Sequence, residues 1–113
     1  MKKIIFIRHG RAEDPSSEIS DFERSLTLKG KVISKQMAHR FREKEGDPGL
    51  FITSPAFRAL ETAYIFASEL GYRHDDILVN SGLYYKSGIK NLFEILGKID
   101  EGVNTITLFG HNP

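Results

Sequence analysis

At 113 residues and without a cysteine, the chain has the size of one domain, and any chemistry it performs excludes disulfides, thiolate nucleophiles and Cys-ligated zinc. Sixteen Lys and Arg against fifteen Asp and Glu leave a formal net charge of +1, too weak a field to argue for nucleic acid. The first apolar run, Ile4 to Ile7, is shorter than a signal-peptide core, and no stretch could span a bilayer, so a soluble cytoplasmic protein with no membrane partner is expected.

Ile4-Ile5-Phe6-Ile7 has no polar alternation, which is how a strand buried on both faces reads. Residues 11 to 26 are polar and form a long loop, an insertion of the kind that usually has a function. Thr27 is placed to cap a helix from Leu28 to about Lys44, with Val32, Ile33, Met37 and Phe41 inward and Lys31, Lys35 and Arg42 in water. Gly30, near its start, is a penalty with no reason visible in the sequence. "DPG" at 47 to 49 makes a turn, and Leu50 to Thr53 a second buried strand. Ser54 as N-cap and Pro55 as first helical residue then open a helix running to Leu70 before Gly71, with Leu60, Tyr64 and Ala67 inward. A third strand around 77 to 79, a third helix in "GIKNLFEILGKI" and a fourth strand at 105 to 109 complete the order. The alternation predicts an α/β three-layer sandwich, a mostly parallel central sheet flanked by helices. The sequence stops at "GHNP", where another helix is expected with Pro113 at its start. A fragment is favoured over a sheet face that relies on a partner for cover.

Ligands of open α/β sheets bind beyond the carboxyl ends of the strands. Strand one ends in Arg8-His9-Gly10, strand two runs through Ser54 to Arg58, and strand four ends in Gly110-His111. Two histidines and two arginines thus converge at a helix N-terminus, which suits phosphoryl transfer: guanidinium forks and helix amides stabilise the charge on the phosphoryl oxygens. A neutral His9 can attack phosphorus, Gly10 lets the backbone turn and approach the phosphate, and a protonated His111 would be a third cationic donor. Ser54 joins Gly10 as a substrate-binding candidate. Taken singly, His9 is an ordinary strand-end histidine, Arg58 a surface arginine and His111 a strand cap; their coincidence at three strand ends reverses that weighing. A metal held by His9 and His111 with Glu13 or Asp14 lacks motif spacing and would be opposed by the arginines, so neither metal nor cofactor is expected. His39 and His74 read as solvated bystanders.

The segments "IRHGRAE", "TSPAFRALETA" and "LFGHNP" together resemble, in order, the motifs of the histidine phosphatase, or phosphoglycerate mutase-like, superfamily. The resemblance implies a covalent phosphohistidine on His9, a phosphate pocket of Arg8, Arg58 and His111, and hydrolysis completed by water. It also implies that residues 1 to 113 are one phosphatase domain lacking its C-terminal segment. "RSLTLKG" at 24 to 30 is similar to the RPLTxxG segment of the small phosphohistidine phosphatases, making Arg24 a substrate-side cation rather than a plain loop arginine. Many members carry a glutamate after the third strand or an aspartate after the second histidine; those places here read "GLYYKS" and Asn112. A phosphoester's leaving alkoxide gains about 10² to 10⁴-fold from a proton donor, whereas a phosphoramidate expels an imidazole that protonates near neutral pH. The missing acid therefore points to a histidine-phosphorylated protein as partner. In the alternative, Glu13, Asp14 or Glu18 swings in as the acid and the substrate is a small metabolite such as a sugar phosphate, with Tyr84 and Tyr85 at its mouth. A third alternative is an inactive phosphate-binding module.

Overall fold

In a computed structural model, residues 3–9, 11–14, 20–45, 47–83, 94, 96–99 and 101–110 are described. Strands β1 (Lys3–Arg8), β2 (Leu50–Thr53), β3 (Leu78–Val79) and β4 (Thr105–Gly110) form one parallel sheet in the order β1-β4-β2-β3. Helix α1 (Leu28–Glu45) links β1 to β2, and α2 (Phe57–Leu70) links β2 to β3. Both steps run in the same direction across the sheet, so right-handed crossovers put both helices on one face. There Ala38 and Phe41 of α1 and Ala63, Phe66 and Ala67 of α2 bury against Ile7, Phe51 and Phe109. The step from β3 back to β4 reverses direction, and the opposite face receives Leu83, Leu96, Ile99 and Val103 over Ile52, Ile106 and Leu108. These are the three layers expected. Of the predicted third helix, residues 94 and 96–98 are helical and most of the remainder lies outside the described residues. Among the described residues, no helix is long and apolar enough to cross a membrane.

The inward faces of both helices differ from those read in the sequence. Val32, Ile33 and Met37 are exposed, and α1 instead buries Gly30, Ser34, Ala38 and Phe41. On α2 Tyr64 is exposed and Leu60 only half-buried, while Arg58, Ala59, Thr62, Ala63, Phe66 and Ala67 are buried. The reason is close approach: α1 and α2 lie side by side, and small residues at intervals of four let their backbones come together while the longer apolar side chains are displaced outward. Lys31–Glu61 and Lys35–Glu69 pairs, at 3.5 and 3.7 Å, straddle the seam. Helix α2 also begins later than expected. Its N-cap is Ala56, and Pro55 precedes it. Gly71 ends it in the left-handed conformation at φ 70°, with its N–H bonded to the Ala67 carbonyl, as the sequence suggested.

Gly30 now has its reason. A β-carbon there would sit 2.2 Å from the Arg11 carbonyl oxygen. That same oxygen accepts the Thr27 N–H at 2.9 Å and the Thr27 hydroxyl at 3.2 Å, so it cannot move aside without losing both bonds. Thr27 also caps α1 as expected, its hydroxyl oxygen accepting the Gly30 N–H at 3.0 Å. Gly30→Ala is expected to destabilise the fold by about 1–3 kcal/mol, the range for forced overpacking. Urea titration of the two proteins would measure it, and an unchanged midpoint would show that the loop yields freely.

Candidate functional site

The carboxyl ends of β1, β4 and β2 lie side by side, and the ladder runs one residue past them. His9 N–H donates to the Gly110 carbonyl at 3.4 Å and Ser54 N–H to the Phe109 carbonyl at 2.9 Å. His9 and Ser54 therefore flank the end of β4. The core holds that end in place: Phe109 is fully buried, edge-on to Phe51 and Phe66 at centroid distances of 5.0 and 5.3 Å.

Arg58, in the first turn of α2, is the centre of the site. It is only 6% exposed, and a guanidinium so far from water needs compensated charge and filled hydrogen bonds. Its Nε–H donates to His9 Nε2 at 3.3 Å, one Nη to the Asp21 main-chain oxygen at 2.6 Å, and the other Nη to Asp21 Oδ2 at 3.1 Å. His9 Nε2 thus presents a lone pair, and a neutral ring carries its proton on Nδ1. An attack on phosphorus would use that lone pair, so the Arg58 Nε–H would have to turn from Nε2 to an incoming phosphoryl oxygen.

Asp21 does more than meet Arg58. Its Oδ1 accepts Arg24 Nη1 at 2.9 Å, and Arg24 Nε–H reaches the Glu13 carbonyl at 2.7 Å. The single turn Asp21–Glu23 is seated on α2 by Phe22, whose ring lies 5.9 Å from that of Phe57. Residues 21–24 are thereby folded onto the site, and an antiparallel bridge between Ala12 and Leu26 pairs the two ends of the loop.

His9, Arg58 and Arg24 are brought together. Arg8 closes β1 opposite Gly110, exposed, its side chain on the opposite face from that of buried Ile7. Ser54 is fully buried; its hydroxyl oxygen accepts the Ala56 N–H at 3.3 Å, bracing the turn into α2. Gly10 and His111, with Glu18, Tyr84, Tyr85 and Asn112, lie outside the described residues. Of the loop carboxylates, Asp14 is exposed, while Glu13 Oε1 accepts the Ser25 N–H at 3.1 Å. His39 and His74 are exposed, His39 within 3.6 Å of Glu43 and His74 stacked on Tyr64. Among the described residues, no group of three or more His, Cys, Asp and Glu is arranged to hold a metal ion. The residue missed by sequence reasoning is Asp21. Its signal was available: an aspartate three residues before Arg24, followed by a lone phenylalanine in a polar loop.

Residues 4–83 match the profile of the histidine phosphatase superfamily, branch 1. An uncharacterised protein of Picosynechococcus sp. is 39% identical over 70 residues, which are 61% of this chain and 42% of that protein; the chain spans well under half of that curated relative. Among solved structures, SixA from Agrobacterium tumefaciens superposes with a TM-score of 0.86 at 22% identity, covering 99% of this chain and 70% of that one. A protein histidine phosphatase SixA complexed with tungstate gives 0.85 at 24% identity, covering 97% and 69%. A mycobacterial glucosyl-3-phosphoglycerate phosphatase gives 0.66 at 16% identity, covering 97% and 74%. At these identities the structural likenesses establish the fold, and the profile match over most of the chain establishes the lineage: the chain belongs to the histidine phosphatase superfamily.

Proposed function

We propose that the protein is a phosphatase that works through a covalent phosphohistidine on His9 and acts on phosphohistidine in a partner protein. The observation that carries this reading is the contact of Arg58 Nε with His9 Nε2, which sets the imidazole nitrogen against a buried guanidinium. In the proposed reaction, His9 Nε2 forms a bond to phosphorus as the P–N bond to the substrate's imidazole breaks, and the departing ring takes up a proton from solvent. Water then attacks phosphorus, the P–Nε2 bond breaks, and inorganic phosphate leaves. Arg58 and Arg8, with His111, neutralise the oxygens in both steps. Arg24 adds a cation on the substrate side. Gly10 lets the chain approach the phosphate closely, and Ser54 acts through the turn that it braces. This scheme assigns no step to a metal or cofactor.

The choice of substrate follows from leaving-group chemistry. The two positions where relatives carry an acid hold none, and the Glu13 carboxylate is engaged by Ser25. An imidazole leaves without a strong acid where an alkoxide does not. A metabolite phosphatase is the second reading. The mycobacterial glucosyl-3-phosphoglycerate phosphatase of the same fold favours it, and it requires a loop acid such as Glu13.

The test is hydrolysis of a histidine-phosphorylated protein beside a generic aryl phosphate, with a base-stable, acid-labile phosphoenzyme trapped during turnover. Loss of phosphate from the phosphoprotein, with labelled His9, is expected. Rapid hydrolysis of the ester alone, slowed by Glu13→Gln, would transfer the assignment to the second reading. Phosphate affinity with no turnover of either substrate would leave a binding module.

A further inference from the structure

We infer that Asp21 is a positioning residue that sets Arg24 in the phosphate pocket by bridging it to Arg58. The inference rests on the reading of His9 and Arg58 as the phosphoryl site and goes beyond it, because Asp21 touches neither of the reacting nitrogens in the hydrogen bonds described above.

Arg24 and Arg58 are 34 positions apart, on a loop and on a helix, and two guanidinium groups beside one small site repel each other. The Asp21 carboxylate lies between them: Oδ1 takes Arg24 and Oδ2 takes Arg58, at 2.9 and 3.1 Å. Each oxygen makes a charge-assisted bond, so one anion holds two cations in fixed relation. The carboxylate is about half-exposed, whereas the Arg58 side chain is 7% exposed. Asp21 therefore sits on the outer side of the pair, able to hold the arginines from outside the buried end of the pocket.

The rest of the loop depends on the same residue. Arg58 also binds the Asp21 main-chain oxygen, and Phe22 rests against Phe57, so the turn stays on α2 without the carboxylate. Arg24 has a different dependence. Its other partner is the Glu13 carbonyl, within the loop itself, and only the Asp21 carboxylate ties its guanidinium to α2 in these contacts. Removing the charge should release Arg24 while leaving the turn seated. In this proposal Arg24 meets the phosphoryl oxygens in the ground state as much as in the transition state, so its loss is uniform binding lost, seen in KM rather than kcat.

The experiment is a double-mutant cycle on the full chain with Asp21→Asn, Arg24→Gln and the pair. Two quantities are read: KM and kcat on the phosphohistidine protein, and tungstate affinity by calorimetry. Asp21→Asn is expected to raise KM and weaken tungstate about tenfold, the size of one bond to a charged group, with kcat within about twofold. The double variant should be no worse than Arg24→Gln alone, and Asp21→Glu should recover most of the loss. Equal melting temperatures would separate this from damage to the fold, and Asp21→Ser replaces the amide variant in the cycle should that one not fold. Unchanged or tighter tungstate binding by Asp21→Asn would overturn the proposal, as would additive single effects. A wild-type chain that binds tungstate but hydrolyses nothing would sink the phosphatase reading while the binding arm still decides the role of Asp21. A chain that binds no tungstate would sink both.

Discussion

His9→Ala is expected to lower turnover of the phosphoprotein by about 10⁴-fold or more and to abolish the trapped phosphoenzyme, because no other group replaces a missing covalent nucleophile. Structure should survive the change. His9 is only half-buried, lies beyond the end of β1, and keeps its place through a main-chain bond to Gly110 that alanine can also make. Oxyanion affinity should persist in part, since the guanidinium groups that would hold the oxygens remain. The decisive comparison is therefore turnover against tungstate binding in one preparation. Retained turnover in His9→Ala would eliminate the covalent route, and a parallel collapse of binding and melting temperature would mean that the histidine serves the fold.

Arg58 is expected to give the second largest effect, through both activity and stability. All three of its nitrogens have directed partners: one ring nitrogen, one main-chain oxygen and one carboxylate oxygen. A lysine offers a single ammonium on a flexible stem and cannot fork in that way. Arg58→Lys should reduce kcat/KM by about 10² to 10⁴-fold, a loss somewhat below that of an arginine supplied to a phosphoryl transition state. Arg58→Ala should do the same and also destabilise the protein by about 3–5 kcal/mol or less, the range for breaking a buried pair, reduced because Asp21 is half in water. Denaturant titration beside the kinetics separates the two effects. Activity of Arg58→Lys within tenfold of the parent would remove Arg58 from the chemistry.

What the sequence made legible follows from which physical signals are local. β4 was readable because a buried strand shows as an apolar run, and Gly71 because a left-handed cap selects glycine; β1 was found by the same rule, but its expected burial on both faces does not hold, since it lies at the sheet edge with Ile4 and Phe6 exposed. The convergence of His9 and Arg58 was readable because parallel sheets gather their carboxyl ends. The helix faces were misread for a different reason. Hydrophobic periodicity assigns burial by apolarity, whereas the buried positions of α1 and α2 include Gly30, Ser34, Ala38, Ala59 and Ala63, residues of small volume. Gly30 was a flagged anomaly whose explanation, the Arg11 carbonyl, belongs to a segment 19 residues earlier in the chain. Asp21 was missed for the same kind of reason: the spacing to Arg24 and the neighbouring Phe22 mark it locally, but its value comes from Arg58, 37 residues away.

The base of the loop has an implication for divergence. Arg11 is tied to Thr27, and Ala12 pairs with Leu26, so both ends of the intervening segment are fastened before it begins. Leu26 is itself anchored, its N–H bonded to Glu61 of α2 at 2.9 Å. With the ends clamped, lengthening that segment adds little closure entropy, about 0.6 kcal/mol for each doubling. Apart from Asp21, Phe22 and Arg24, which engage the site and α2, residues between the clamps can therefore be exchanged, by natural drift or by grafting, while the histidine and the sheet beneath it stay as they are.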